Sequence, residues 1–256
     1  LLNETRLTVE LDVRANNKAQ VDVILDEVTG DVIRAVGNGR LQINVLPSGE
    51  MTMKGRYNIE QGKYDFNFQS IIKKPFELMP DANSYIEWTG DPFNATIHVD
   101  ARYTASNVSL NNLVSTQSLT GISSTVRGYR GDVYVVAQLR GQLMKPDILF
   151  HIDFPPNTPI KNDNDFALFL NRLESDQNEM LKQVTYLIVF GSFAPYGQIG
   201  AAAATPYAIG VNTISQKIAS ELDKLVSNLL YKITGDKSLQ LDLGASTYSS
   251  ATLLGT

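Results

Sequence analysis

Apolar and polar side chains alternate with period two from the start of the chain to about residue 155, and a 3.6-residue period is almost absent there. Leu7, Val9, Leu11 and Val13 alternate with Thr8, Glu10, Asp12 and Arg14, and Val21, Val23 and Leu25 follow. Leu41, Ile43 and Val45 alternate with Arg40, Gln42 and Asn44. After a turn at Pro47-Ser48-Gly49, Met51, Met53, Tyr57 and Ile59 share one parity; Gly62 then punctuates, and Tyr64, Phe66 and Phe68 take the other. Ile86 and Trp88 precede a turn at Gly90-Asp91-Pro92, and Ala95, Ile97, Val99, Ala101 and Tyr103 form a long strand pattern. The polar stretch from Thr104 to about Arg130 reads as an extended loop. Val133, Val135, Ala137 and Leu139 resume the alternation, and Ile148, Phe150, Ile152 and Phe154 close it before Pro155-Pro156.

Strands with one apolar and one polar face, joined by short turns, predict a mainly β fold built as an antiparallel meander. The lack of intervening helical patterns argues against an α/β enzyme fold. From Asn162 the pattern turns helical. Phe166, Leu168 and Leu170 open a short segment, and Asp176 to Phe190 predicts a helix with Met180, Leu181, Val184, Leu187 and Ile188 on a broad apolar side. Gly197 to Ala204 is rich in small residues. Ile214, Ile218, Leu222, Leu225, Leu229 and Ile233 mark a second helix that Gly235 stops, and Leu239, Leu241 and Leu243 restore a final strand. The organisation expected is a β domain over 1–156, a helical segment over 157–235 and a terminal strand region over 236–256. A chain that starts and stops inside strand patterns reads as a piece of a longer protein.

Composition narrows the chemistry. With no cysteine there is no disulfide, thiol nucleophile or Cys-ligated metal. A formal net charge of −5 disfavours a sequence-independent nucleic-acid binder, which needs a basic surface. No run approaches the length of a transmembrane helix, the strongest being Val184 to Phe190. The only two histidines, His98 and His151, each precede an aspartate by two residues, Asp100 and Asp153, on the parity opposite the apolar neighbours. They read as solvent-facing strand residues; a shared metal site would need their strands to be adjacent. Asp91, Asp100 and Asp153 could nominally supply a carboxylate pair for glycoside hydrolysis, but nothing in the sequence sets their separation. Gly37-Asn38-Gly39 reads as a tight turn, not a phosphate cradle, since no lysine and no opening helix follow. Asn3, Asn94 and Asn107 begin Asn-x-Ser/Thr triplets of the kind that arise often by chance. No catalytic residue, metal ligand or cofactor is expected.

The apolar faces therefore hold the interest. They can be ordinary core, packed on another layer, or the lining of a groove for acyl chains. Periodicity does not separate the two.

One stretch carries a resemblance. Gly62-x-Tyr64-x-Phe66, a strand containing Phe76, Ser84-x-Ile86-x-Trp88-x-Gly90-Asp91-Pro92-x-x-Ala95 and Ala101-x-Tyr103 follow one another in order. Together they resemble the C-terminal domain of TamB-like proteins, the inner-membrane-anchored component of the translocation and assembly module. The run from Gly141 to Pro155 is similar to the strand that ends that family's β region. Gln183 to Pro195 is similar to its following helix, in the form found in the Bacteroidetes branch. Asn83 stands where many relatives carry glycine, and Asn tolerates positive φ.

The resemblance implies a β-sheet rolled into a taco-like trough whose lining conducts phospholipids between the membranes of diderm bacteria. The lining it implies is Leu41, Ile43, Val45, Met51, Met53, Tyr64, Phe66, Phe68, Ile86, Trp88, Ile97, Val99, Val133, Val135, Leu139, Ile148, Phe150 and Ile152. Phospholipid acyl chains and a TamA-type outer-membrane barrel protein are the implied partners, with Leu239, Leu241 and Leu243 offering an edge to the latter. The implied location is the periplasm, within an inner-membrane-anchored, envelope-spanning protein whose C-terminal end lies near the outer membrane. Membrane contact would come through the full-length protein. The alternative is a scaffold for outer-membrane protein assembly, with a packed core and no lipid conduction.

Overall fold

The computed structural model describes residues 7–26, 30–68, 72–80, 83–114 and 121–196. The expected helix through Ile214–Ile233 and the strand at Leu239–Leu243 lie outside the described residues. The chain divides into two compact units, Leu1–Asn107 with Asp132–Pro156, and Val108–Gly131 with Asn157–Thr256.

The first unit is built on an eight-stranded antiparallel sheet: β1 (Val9–Asp26), β2 (Asp31–Val45), β3 (Met51–Phe68), β4 (Ile72–Leu78), β5 (Tyr85–Gly90), β6 (Thr96–Ser109), β7 (Arg130–Gln142) and β8 (Lys145–Asp153). The order is sequential, as a meander requires, with one refinement. β4 and β5 together occupy the single position between β3 and β6: β4 pairs the second half of β3 and β5 the first half, and both pair β6. The break between them is stitched to both neighbours. Ile59 N–H donates to Ser84 O at 2.8 Å, Met79 N–H to Asp100 O at 2.9 Å, and Asp100 N–H to Ser84 Oγ at 3.3 Å. Asn83, inside this break, adopts φ +51°, a left-handed conformation that asparagine accepts more readily than most residues.

Two readings of the β region are corrected. Gly37-Asn38-Gly39 is not a turn but the middle of β2, and Gly62 does not divide two strands, because β3 runs through it. The ladder slips between β1 and β2 at Ala15/Ala19, and between β2 and β3 at Val36/Gly37. The second slip leaves Glu60 without an opposite residue and explains why the apolar parity changes from Ile59 to Tyr64 inside one strand. The glycines are there because the neighbouring backbone is close. A Cβ on Gly37 would stand 1.9 Å from the Asn58 carbonyl oxygen, and one on Gly39 2.3 Å from that of Arg56. Bulges and strand glycines gathered at mid-strand are the devices that curl a sheet.

Thr104–Arg130 is a third correction, since it is not one extended loop. β6 continues to Ser109, and the second unit then opens with two single-turn helices, α1 (Asn111–Val114) and α2 (Ser124–Arg127). Leu110, Leu113, Val114, Ile122 and Val126 are buried, an apolar minority that a polar average hides. A 3₁₀ turn at Pro159–Asn162 leads to α3 (Asn164–Ser175) and α4 (Gln177–Phe190). Asp163 caps α3 through Phe166 N–H, and Asp176 caps α4 through Glu179 N–H; Gly191, at φ +61°, ends α4. α3 is the helical segment expected from Asn162; its buried face is Phe166, Phe169 and Leu173, at helical spacing, with Leu168 exposed. α4 is buried on nearly every side from Glu179 to Ile188.

Candidate functional site

The registers carry the apolar face of the sheet across several strands in rows. Val9, Val45 and Met51 stand opposite one another, as do Leu11, Ile43 and Met53. Val13, Leu41, Gly55 and Trp88 form the third row, and Ala15, Gly39, Tyr57, Ile86 and Ile97 the fourth. Beyond the bulges the same face continues through Ala19, Gly37 and Ile59, then Val21, Ala35 and Gly62, then Val23, Ile33, Tyr64 and Phe76. On the far side of the sheet Val135 faces Ile152, Ala137 faces Phe150 and Leu139 faces Ile148.

The face is not uniform. Of the residues expected to line a groove, Tyr64, Phe66, Ile86, Ile97, Val99, Val133, Val135, Leu139 and Ile152 are buried. Leu41, Ile43, Val45, Met53, Trp88, Ile148 and Phe150 are half-buried, and Met51 is 40% exposed. Phe68 ends β3. The wet group concentrates in the first three rows, where Leu11 and Val13 are also exposed, at 47% and 40%. Tyr64, Phe66 and Phe76 form an aromatic cluster, with ring centroids 5.9–6.1 Å apart, and Phe76 extends it to Tyr103 at 5.6 Å. One apolar face thus has an open strip on β1–β3 and a packed remainder.

Tyr57 stands between the two, in the fourth row and 1% exposed. Its hydroxyl donates to the Ala19 carbonyl on β1 at 2.8 Å, with the Ala35 carbonyl on β2 at 3.5 Å. Burial pushes that hydroxyl's pKa up, so it stays protonated and a donor. Sequence reading grouped Tyr57 with its strand neighbours and missed this reach. The available signal was the parity of Gly37 and Gly39, which continues that of Ile33 and Ala35 and so places the glycines on the apolar face.

The opposite face is polar and paired. Arg40 pairs with Asp12, Arg34 with Asp65, and Arg140 with Asp100. Gln138 joins the last group, its Oε1 2.9 Å from His151 Nε2 and its Nε2 3.4 Å from Asp100 Oδ2. His98 stacks on Tyr85 at 5.2 Å, and Arg56 lies 3.5 Å from the Tyr85 ring centre on the exposed side of the same strands. Burial, with Arg140 nearby, lowers the His98 pKa and keeps it neutral at pH 7. β7 separates β6 from β8, so the two His-x-Asp pairs are not on adjacent strands. Among the described residues no group of three or more His, Asp or Glu could hold a metal ion. Asp100 is committed to Arg140, which leaves it poorly placed as half of a carboxylate pair.

The sequence profile of the TamB C-terminal domain matches residues 2–254. The chain belongs to the TamB C-terminal domain family. TamB domains are parts of a non-enzymatic transport and assembly module, act in biogenesis of the outer membrane and work with TamA-type partners. The chain is thereby a segment of the bacterial envelope's periplasmic space, and no helix among its described residues is long and apolar enough to cross a membrane. No individual curated protein and no solved structure matches the chain significantly.

Proposed function

We propose that this TamB domain handles phospholipid, holding acyl chains against the open strip of its sheet while head groups stay in water. The observation that carries the reading is the open apolar strip, exposed at Leu11, Val13 and Met51 and half-buried at Leu41, Ile43 and Met53, continuous over three neighbouring strands and backed by a polar, ion-paired face. Each acyl methylene moved out of water there is worth about 0.8 kcal/mol. A strip without polar side chains offers no directional bond, so a chain can slide along it. No residue is assigned a catalytic role. In the full-length protein the domain would sit in the periplasm, tethered to the inner membrane, with its C-terminal end near the outer membrane and a TamA-type barrel.

The packed remainder of the face favours a second reading, a scaffold for outer-membrane protein assembly without lipid conduction. Residues such as Val99, Val133, Val135 and Leu139, which show no exposure, are core whatever the function. Site-specific photo-crosslinking separates the two. A photoreactive side chain at Ile43 or Met51 captures phospholipid if the strip is an acyl site. Crosslinks only within the protein or to another protein would sink the lipid reading.

A further inference from the structure

The open strip has a definite end. Neighbouring strands lie about 4.8 Å apart, so β1 is about 10 Å from β3. Tyr57 on β3 nevertheless bonds a β1 carbonyl, that of Ala19. Its side chain must therefore lie flat across β2 on the apolar face. The residue directly opposite it on β2 is Gly39, and Gly37 follows on the same face, so no β2 side chain stands in the way. The bond lands at the β1 bulge, between Ala15 and Ala19. An aromatic ring opposite a strand glycine covers the gap the glycine leaves; here the ring also spans three strands.

We propose that Tyr57 is the floor of the acyl compartment, a bar that confines an acyl chain to the strip between the Val9–Val45–Met51 row and its own ring. This rests on the acyl-chain reading above and adds its boundary. From Val9 to Ala15, as from Met51 to Tyr57, is six residues of strand, about 20 Å at 3.3 Å per residue. One leaflet of a bilayer's hydrocarbon is about 15 Å deep. The strip is therefore long enough for one extended acyl chain of membrane length, and a second chain placed end to end would meet the ring. Beyond the bar, β1 keeps Ala19 and Val21 half-buried on this face, and the row after them, Val23, Ile33, Tyr64 and Phe76, is buried and closes it.

The test places a photoreactive side chain at Ile43, on the open strip, or at Val21, half-buried beyond the bar, in the full chain. The probe is vesicles of phosphatidylethanolamine and phosphatidylglycerol. With Tyr57 present, lipid is captured at Ile43 and not at Val21. Tyr57→Ala produces a severalfold gain of capture at Val21 while Ile43 keeps its own. Tyr57→Leu, which keeps an apolar side chain but cannot reach Ala19, gives the same gain if the alanine variant fails to fold. Equal capture at both positions with Tyr57 in place overturns the floor and leaves the acyl reading standing. So does an unchanged pattern in a folded Tyr57 variant. No capture at either position overturns the acyl reading, and the floor with it.

Discussion

Gln183 and Ala194 close a reciprocal pair of hydrogen bonds: Gln183 Nε2 donates to the Ala194 carbonyl at 3.1 Å, and Gln183 Oε1 accepts from Ala194 N–H at 2.9 Å. The glutamine, fully buried in α4, thereby satisfies both backbone groups of the segment that returns after Gly191. Its Nε2 also donates to Glu179 Oε1 at 2.7 Å, and Glu179 pairs with Lys182, whose Nζ reaches the Pro195 carbonyl at 3.2 Å. A polar cluster inside an otherwise apolar packing is stable only while every member is satisfied. Gln183→Leu leaves the Ala194 N–H and carbonyl buried without these partners. The expected loss is about 1–3 kcal/mol for the second unit, read as a lower urea midpoint of the helical signal in circular dichroism. An unchanged midpoint would mean that the 193–195 segment does not depend on this pair.

The strand glycines make a prediction with an internal control. Gly37→Ala and Gly39→Ala each place a methyl group inside the contact distance of a backbone carbonyl, which cannot swing aside as a side chain can. Overpacking of this kind costs about 1–3 kcal/mol. Gly90→Ala, also in a strand but with nothing within 4 Å of the added Cβ, is neutral or slightly stabilising. The single tryptophan, Trp88, belongs to the sheet, so its fluorescence in urea reports the first unit. Equal midpoints for the three variants would show that the bend does not need its glycines.

The same glycines show where sequence reading stops. Alternation located most strands of the sheet because each has one dry and one wet face, a local pattern, but it did not mark β4 or the first half of β2. It placed the long apolar runs of β6, β7 and β8 for that reason. A bulge is not local: the parity change between Ile59 and Tyr64 looks like a strand end until the partner strand shows that only one residue is out of register. Gly37-Asn38-Gly39 has turn composition, yet its meaning comes from carbonyls on another strand. The candidate face was legible as a set of residues, since alternation puts them on one side. Its division into open strip and packed remainder was not, because exposure depends on what covers each row. Leu41 and Val135 are equally apolar in the sequence, but one is half-buried and the other fully buried.

Asp163 gives a pH dependence with a definite sign. It accepts hydrogen bonds from Ser123 and from Phe166 N–H at the start of α3, and these hold its carboxyl below the ordinary value of 3.8. A depressed folded-state pKa means that the ionised form stabilises the fold. That contribution is complete above the unfolded-state pKa and is lost as pH falls through the lower, folded-state value. Asp163→Asn keeps a good N-cap but removes the charge that favours a helix N-terminus, a difference of about 0.3–1 kcal/mol. Wild type is therefore more stable than Asp163→Asn at neutral pH, and the gap closes on acidification below about pH 4. A gap that widened with acid would reverse the sign and exclude a stabilising carboxylate.

The division of the apolar face predicts opposite outcomes for one substitution made in two places. Val99→Asp buries a carboxylate on a strand position with no exposure, which costs several kcal/mol and unfolds the sheet. Ile43→Asp puts the same group on the half-exposed strip, where water reaches it, so the fold survives with a small loss of stability. An anionic side chain between Leu11 and Met53, however, replaces apolar surface in the middle of the strip. Capture of phospholipid by a photoreactive side chain at Met51 then falls severalfold in Ile43→Asp and is kept in Ile43→Leu, with Trp88 fluorescence confirming that both are folded. Undiminished capture in folded Ile43→Asp would show that acyl chains do not use this strip. An Ile43→Asp chain that unfolds as readily as Val99→Asp would show instead that the strip is core.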